Sequence, residues 1–422
     1  MSLTLPYGID SQLEIALDED HLIGVCGAGF AVGRTLRGED FHRALRETLE
    51  RPLEFPSLEQ AVLAGDKVTI AVEPGLPRAV EIVTAVAQRL IDAGVAFDDL
   101  TILTGDAEIG ADAIRVRAAR ATVPPTPSPA ASDDAERTAI RVERHDPADR
   151  GKLGFLSNTR SGRPVYLNRL LTDADLTIPV GCFRGPEGWS YRGVFGGLYP
   201  TFSDRETQTR FRNPHLLDAD DETFAKSQHE IDLIGWQSGT QFTVQVVPGA
   251  GDEAAAVIAG EMRAVVRRAA ELWKELWRCE LPETADLVVA SLSGERAQNW
   301  DHVARALAAA LKVVDDGGAI ALCTELNAPL GPGLELFSKT DDRDAAVVEV
   351  RKARPVDAFA ALMLDRAQRR VRVYLLSKLD ASTVEDLGLA RVDEAADIGR
   401  LAARRRNCIL LSDAQHASPS AA

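Results

Sequence analysis

Apolar and polar positions along this chain fall into blocks that alternate between two periods. Residues 66–72 open with the charged pair Asp66-Lys67 and continue as a run of small and β-branched residues, the pattern of a strand covered on both faces. In the next block Val83, Val86, Ala87, Leu90 and Ile91 recur at helical spacing, and the block ends at Gly94, suited to the left-handed position that closes a helix. Residues 100–104 then form a second apolar run. The three blocks predict a βαβ unit, whose parallel strands require a right-handed crossover.

The same reading extends in both directions. Residues 13–17 and 21–25 are strand-like, as are 139–142, 164–167, 176–181 and 241–247. Residues 252–277, rich in alanine, arginine and glutamate, read as one long helical region. Beyond it the alternation becomes regular: strand 286–290, helix 301–314, strand 318–323, helices within 343–369, strand 371–376, helix 393–405 and strand 407–411. Such alternation predicts an α/β protein of two domains, each with a mostly parallel sheet flanked by helices, and a cleft between them. The expected domains are 1–265 and 266–422, with the boundary inside the long helical region. Residues 121–138 combine four prolines with small and acidic residues and predict a mobile surface loop within the first domain.

Composition narrows the partners. A chain of 422 residues with 45% apolar and 27% charged residues has a globular make-up. Its net charge of −16 repels phosphate backbones and anionic lipid, so neither nucleic acid nor a membrane is an expected partner. The first twenty residues lack the basic start and apolar core of a signal peptide, and the expected compartment is the cytoplasm. The five cysteines are odd in number, far apart and never in a CxxC, which predicts buried free thiols rather than disulfides or a thiolate metal site.

Short motifs carry little chemistry. Gly27, Gly29 and Gly33 have the wrong spacing for a dinucleotide fingerprint and read as a glycine-rich turn. No phosphate-binding loop, zinc-protease helix or nucleophile elbow is present. His145, His215 and His229 lie near polar segments, but satisfied structural roles are the simpler assignment. The long Gly- and aromatic-rich stretch 182–204 fits neither helix nor strand, and such loops usually serve a function.

The order of many small matches says more. Pro6-Tyr7-Gly8, Pro56-Ser57-Leu58 before residues 65–72, and Thr104-Gly105 resemble the opening of the nickel-pincer lactate racemase family. Leu153-Gly154, Gly162-Arg163-Pro164-Val165, Asn168 and Ala174-Asp175-Leu176 leading to Gly181 follow in the same order. Ala285-Asp286-Leu287-Val288, Arg305-Ala306-Leu307 and Gly317-Gly318 continue it through the second half. The resemblance spans nearly the whole chain and implies that family's two-domain fold. It further implies racemisation of 2-hydroxy acids by hydride transfer to a nickel-pincer nucleotide, with two histidines as proton acceptors and a third on the metal.

Position by position, the chemistry departs from that pattern. The family's Asp-x-Thr-Arg-Pro is here Glu73-Pro74-Gly75-Leu76-Pro77, so a carboxylate is kept but Leu76 replaces the substrate arginine, with Arg78 two residues on as a substitute. Ala107 and Trp189 stand where the two proton-transferring histidines belong, and Tyr199 where the cofactor-bearing lysine belongs. No lysine lies between Lys152 and Lys226. His215 matches the nickel ligand in spacing, and His302 and Arg305 stand where the family has a glutamine and a lysine.

Three readings follow. The first is a divergent relative whose interdomain cleft binds a small anion, an organic acid or phosphorylated metabolite, through Arg184, Glu187, Trp189, Arg192, His302, Arg305 and Arg78, with racemase chemistry altered or lost. The second is a 2-hydroxyacid isomerase holding the pincer nucleotide without a covalent bond, with His215 as the metal ligand and Glu73 and Tyr199 as catalytic groups. The third is a non-catalytic regulatory or assembly protein, a homo-oligomer whose aromatic loop is an interface.

Overall fold

The computed structural model describes residues 2–30, 34–105, 109–110, 113–117, 137–185, 194–218 and 221–422. Most of the 121–138 stretch, Ala107, Glu187, Trp189 and Arg192 lie outside them. Among the described residues the chain forms strands β1 (Ser2–Tyr7), β2 (Ser11–Ala16), β3 (Leu22–Cys26), β4 (Val68–Val72), β5 (Leu100–Thr104), β6 (Arg141–Arg144) and β7 (Leu176–Cys182). Strands β8 (Phe242–Pro248), β9 (Ala254–Glu261), β10 (Ala285–Ser291), β11 (Val314–Cys323), β12 (Arg372–Leu376), β13 (Ala390–Val392) and β14 (Cys408–Leu411) follow. The helices that matter for the site are α1 (Ala79–Asp92), α2 (Met262–Trp277), α3 (Trp300–Ala310) and α4 (Ala358–Arg370).

The strands assemble into two six-stranded sheets. The first has the order β9-β8-β7-β4-β5-β6, parallel except for the antiparallel edge strand β9. The second has the order β13-β12-β11-β10-β14-β3 and is parallel throughout. Helices cover both faces of such sheets, which is why β4 and β5 are buried at every position. Val83, Val86, Ala87, Leu90 and Ile91 of α1 lie fully inside the first core, as their spacing predicts. The expected α/β fold with two mostly parallel sheets is the fold observed.

Three expectations are corrected. Residues 252–277 are not one helix: Ala254–Glu261 pairs antiparallel with β8, and α2 begins only at Met262, where the Glu261 carboxylate caps the helix by accepting from Ala264 N at 2.8 Å. Alanine-rich sequence favours a helix locally, but an open sheet edge supplies ladder hydrogen bonds that override the preference. Residues 1–30 do not stay with the first sheet. Leu5, Leu13 and Ile15 of the β1–β2 hairpin pack with Leu287, Val289 and Leu410 of the second, and β3 forms its edge beside β14. Cys26 is not a free thiol either: it is joined to Cys279, with Cα atoms 6.0 Å apart, while Cys182, Cys323 and Cys408 are buried and free.

The return of β3 to the second sheet depends on a close approach just beyond it. Gly27 has φ +112°, and a Cβ there would overlap the backbone carbonyl of Ser412, whose own N–H donates to Cys26 O at 2.8 Å. Gly27→Ala should therefore destabilise the protein by about 2 kcal/mol or more, from backbone strain plus the displaced carbonyl. Urea unfolding at unchanged slope measures it, and a loss under about 0.5 kcal/mol would contradict this docking.

Candidate functional site

In a parallel sheet, ligands gather beyond the carboxyl ends of strands where the order of connection reverses. In the first sheet that point lies between β4 and β7: the chain runs from β4 to β5 on one side and comes back for β7 on the other. Glu73 follows β4 and Arg184 follows β7, so both sit at the reversal. Glu73 Oε2 accepts from the Cys182 backbone N–H at 2.9 Å, and Oε1 accepts from Arg184 Nη1. The carboxylate thus fixes the direction of the guanidinium and raises its already high pKa.

The second sheet reverses between β10 and β14. Beyond these strands lie the segment 412–416 and the first turns of α3, which the Asn299 side chain caps by accepting from His302 N at 3.0 Å. His302 and Arg305 stand three residues apart on α3, and Arg305 Nε donates to Asp301 at 2.8 Å.

Two carboxylates join the domains beside this site. Asp413, fully buried, accepts from Ser293 Oγ and from Gly251 N at 3.0 Å. Asp252 accepts from the backbone N–H groups of Glu295 at 2.6 Å and Arg296 at 3.1 Å. Gly251 and Asp252 lie between β8 and β9 of the first sheet, so the turn is held against the second. Burial pushes the Asp413 carboxyl pKa up, opposed by the hydrogen bonds it accepts.

Between the two reversal points is a cavity of about 450 Å³. Among the described residues its lining holds six cationic residues, Arg184, Arg296, Arg305, Lys312, Arg366 and Arg370, and one acidic residue, Asp252. The remaining wall is largely apolar, with Leu216, Phe224, Trp273 and Met363 among its residues. His302 and His416 complete the polar end, their rings 6.2 Å apart, and His416 also lies 5.2 Å from the Trp277 ring. A second cavity of about 540 Å³ shares Arg184 and Arg305 with the first and is lined also by Glu73, Gly196, Gly197 and Arg212.

Electrostatics keeps both imidazoles neutral. Burial lowers the His302 pKa to about 4, helped by Arg305 and Arg184 and opposed by Asp301. Its Nδ1 lies 3.0 Å from both the Arg296 carbonyl and the Asn299 side-chain amide, donating to the first or accepting from the second according to the tautomer. Burial, His302 and the same arginines push His416 down as well. The Cys182 thiol is driven up to about 12 by burial and is no nucleophile at neutral pH.

Of the residues singled out in the sequence, Glu73, Arg184, His302 and Arg305 are brought together. Arg78 is not: it pairs with Glu81 and Glu253, both at 2.9 Å, beneath the Phe41 ring, and lines neither cavity. Tyr199 is buried, its hydroxyl donating to Glu230 at 2.8 Å and accepting from Arg210 at 2.8 Å, away from both cavities. His215 is exposed on its turn, outside both linings. His145 is a satisfied core histidine, bonded to Ser203 O at 2.9 Å and Asn168 Nδ2 at 3.1 Å. His416 and the cations at positions 296, 312, 366 and 370 were not anticipated. Lys312 stands two residues past the end of α3, and nothing local marks it or His416 as lining the cavity.

The His302 environment has a pH signature. Unfolded, the ring titrates near 6.5, and folded near 4, so between those values the unfolded chain binds more protons. Its contribution to stability is complete above 6.5 and is lost as pH falls towards 4. Arg305→Gln removes one of the cations holding the ring down, so the His302 pKa should rise in an NMR titration; an unchanged or lower value would contradict this arrangement.

No protein-family model and no curated protein matches the chain. Solved structures match it over nearly its full length. One is the lactate racemase apoprotein from Thermoanaerobacterium thermosaccharolyticum, 16% identical, with a TM-score of 0.73 over 99% of this chain and 100% of that one. Another is a structural-genomics target from Thermotoga maritima, 13% identical, with a TM-score of 0.59 over 92% and 99%. Among the described residues no helix is long and apolar enough to cross a membrane. The chain has the lactate racemase fold, as the resemblance of its segments implied.

Proposed function

We propose that the interdomain cleft binds a small organic anion, a carboxylate or phosphorylated metabolite, and that it does so without nickel-pincer chemistry. The observation that carries this reading is the gathering of six cationic residues in the lining of one cavity in a chain of net charge −16. Arg184 and Arg305 come from different domains, and each is oriented by a carboxylate, Glu73 or Asp301. A guanidinium held from behind presents its remaining N–H groups in a fixed fork, the geometry that suits a carboxylate or phosphate. The apolar walls exclude water and strengthen those contacts.

The donor set does not suit the pincer nucleotide. Tyr199 has no amine and its hydroxyl is committed to Glu230 and Arg210. His215 lies outside both cavities, and among the described residues no three His, Cys, Asp or Glu side chains gather as a metal site. No step through nickel is therefore derived. If the site is catalytic, proton transfer falls to His302 and His416, neutral imidazoles beside the anion-binding arginines.

A panel of hydroxy acids, dicarboxylates and sugar phosphates, screened by thermal shift and calorimetry, tests this reading. At least one class should stabilise the protein, by about 2.7 kcal/mol at a hundredfold excess over Kd, with no dependence on added nickel or chelator. Arg184→Ala should weaken that binding by roughly tenfold or more, whereas Arg78→Ala should leave affinity within about twofold. No stabilisation by any anion, or full affinity in Arg184→Ala, would overturn the proposal.

A further inference from the structure

We infer that the ligand is an elongated dianion, with anionic groups about 10 Å apart, one at Arg305 on α3 and one at Lys312 just past the end of that helix, and not a three-carbon hydroxy acid. This deepens the anion-site reading and rests on it. Arg305, Ala308, Ala309 and Lys312 all line the cavity. Arg305, Ala308 and Ala309 share one face of α3, and Lys312 stands in the turn just past the helix, its N–H donating to Ala309 O at 3.2 Å. Seven residues at roughly 1.5 Å each put it about 10 Å from Arg305. Alanine in the middle leaves room for the body of a ligand where a longer side chain would fill the space.

Each end of that track is cationic, for different structural reasons. At the near end Arg305 meets Arg184 and the two histidines. At the far end Lys312 meets Arg366 and Arg370, one turn apart on α4. These arginines are positioned by groups outside the track: Arg366 donates to Leu217 O at 3.0 Å and to Asp218, and Arg370 to Leu311 O at 3.0 Å and to Asp316 at 2.8 Å. Asp218 is itself shared with Arg351 at 2.7 Å, so one carboxylate serves two guanidiniums there. A hydrogen bond from the Arg370 guanidinium to the last carbonyl of α3 also offsets the negative end of the helix, which would otherwise repel an anion.

Volume supports the same conclusion independently. A cavity of about 450 Å³ lies in the range that encloses drug-sized ligands and is far larger than a single carboxylate with two or three carbons requires. The apolar stretch between the ends, with Phe224 and Met363 in its wall, calls for an uncharged middle. A straight or flat dianion satisfies the length, the volume and the charge together.

The test uses straight-chain α,ω-dicarboxylates from malonate to azelate, each paired with the monocarboxylate of equal length, titrated calorimetrically into the full chain. The dicarboxylate-to-monocarboxylate affinity ratio should grow with length and reach roughly tenfold at the best fit, the worth of one charge-assisted contact. Lys312→Met and, separately, Arg366→Gln should lower that ratio towards one. A wild-type ratio near one at every length, with monocarboxylates still binding, would overturn the inference and leave the anion site standing. No binding by either series would overturn the inference, while the anion site itself stands or falls by the wider panel that includes sugar phosphates. A high ratio untouched by either variant would remove the far subsite from this place.

Discussion

The Glu73 carboxylate holds Arg184 at the point where the first sheet reverses its order, and the rest of the site is arranged around that pair. Glu73 is reached by β4 and Arg184 by β7, two adjacent buried strands, so the pair is as rigid as the sheet beneath it. The second sheet brings its own reversal point, with Asp301, His302 and Arg305 on α3, to the opposite side of the gap. Asp252 and Asp413 keep the two sides in register through backbone N–H groups. Asp413 is fully buried and Asp252 half-buried, and carboxylates that accept such bonds make stiff joints because breaking one leaves a donor or acceptor without a partner.

Charge distribution separates the surface from the cleft. A net charge of −16 on the chain disfavours anions in general, yet the cavity wall is cationic and partly apolar. Field lines focus in such a gap, so a small anion is drawn into it despite the net charge of the chain. Burial, helped by the same arginines, keeps His302 and His416 unprotonated, giving proton acceptors beside an anion-binding fork. This combination differs from the nickel chemistry that the resemblance implies, which needs an amine and a metal-ligating histidine where this chain has a buried phenol and an exposed imidazole.

How far the sequence could be read depended on how local each determinant is. Val68–Val72 and Leu100–Thr104 were legible because strands covered on both faces are apolar at nearly every position. Ala254–Glu261 was not, since its alanines suit a helix and only the neighbouring β8 makes it a strand. The placement of residues 1–30 on the second sheet, and the joining of Cys26 to Cys279, depend on partners some 250 residues or more away in the chain and leave no local trace. In the site, Glu73, His302 and Arg305 were found because the resemblance marked their positions, and Arg184 because it stands in the Gly- and aromatic-rich stretch 182–204. Arg78 and Tyr199 had suitable chemistry, but Glu81, Glu253, Glu230 and Arg210 claim them for structure. His416 and Lys312 required the fold, which alone brings the end of the chain and the end of α3 to one cavity.

A crystal structure of the protein grown with a bromine-labelled ω-carboxylate would test the central claim most directly, because the bromine locates the ligand by its anomalous signal. The account predicts a carboxylate between Arg184 and Arg305, within about 2.7–2.9 Å of guanidinium nitrogens from both domains, and the labelled chain lying along α3. Bromine found only outside the cleft at saturating ligand, or a cleft holding water alone, would contradict it.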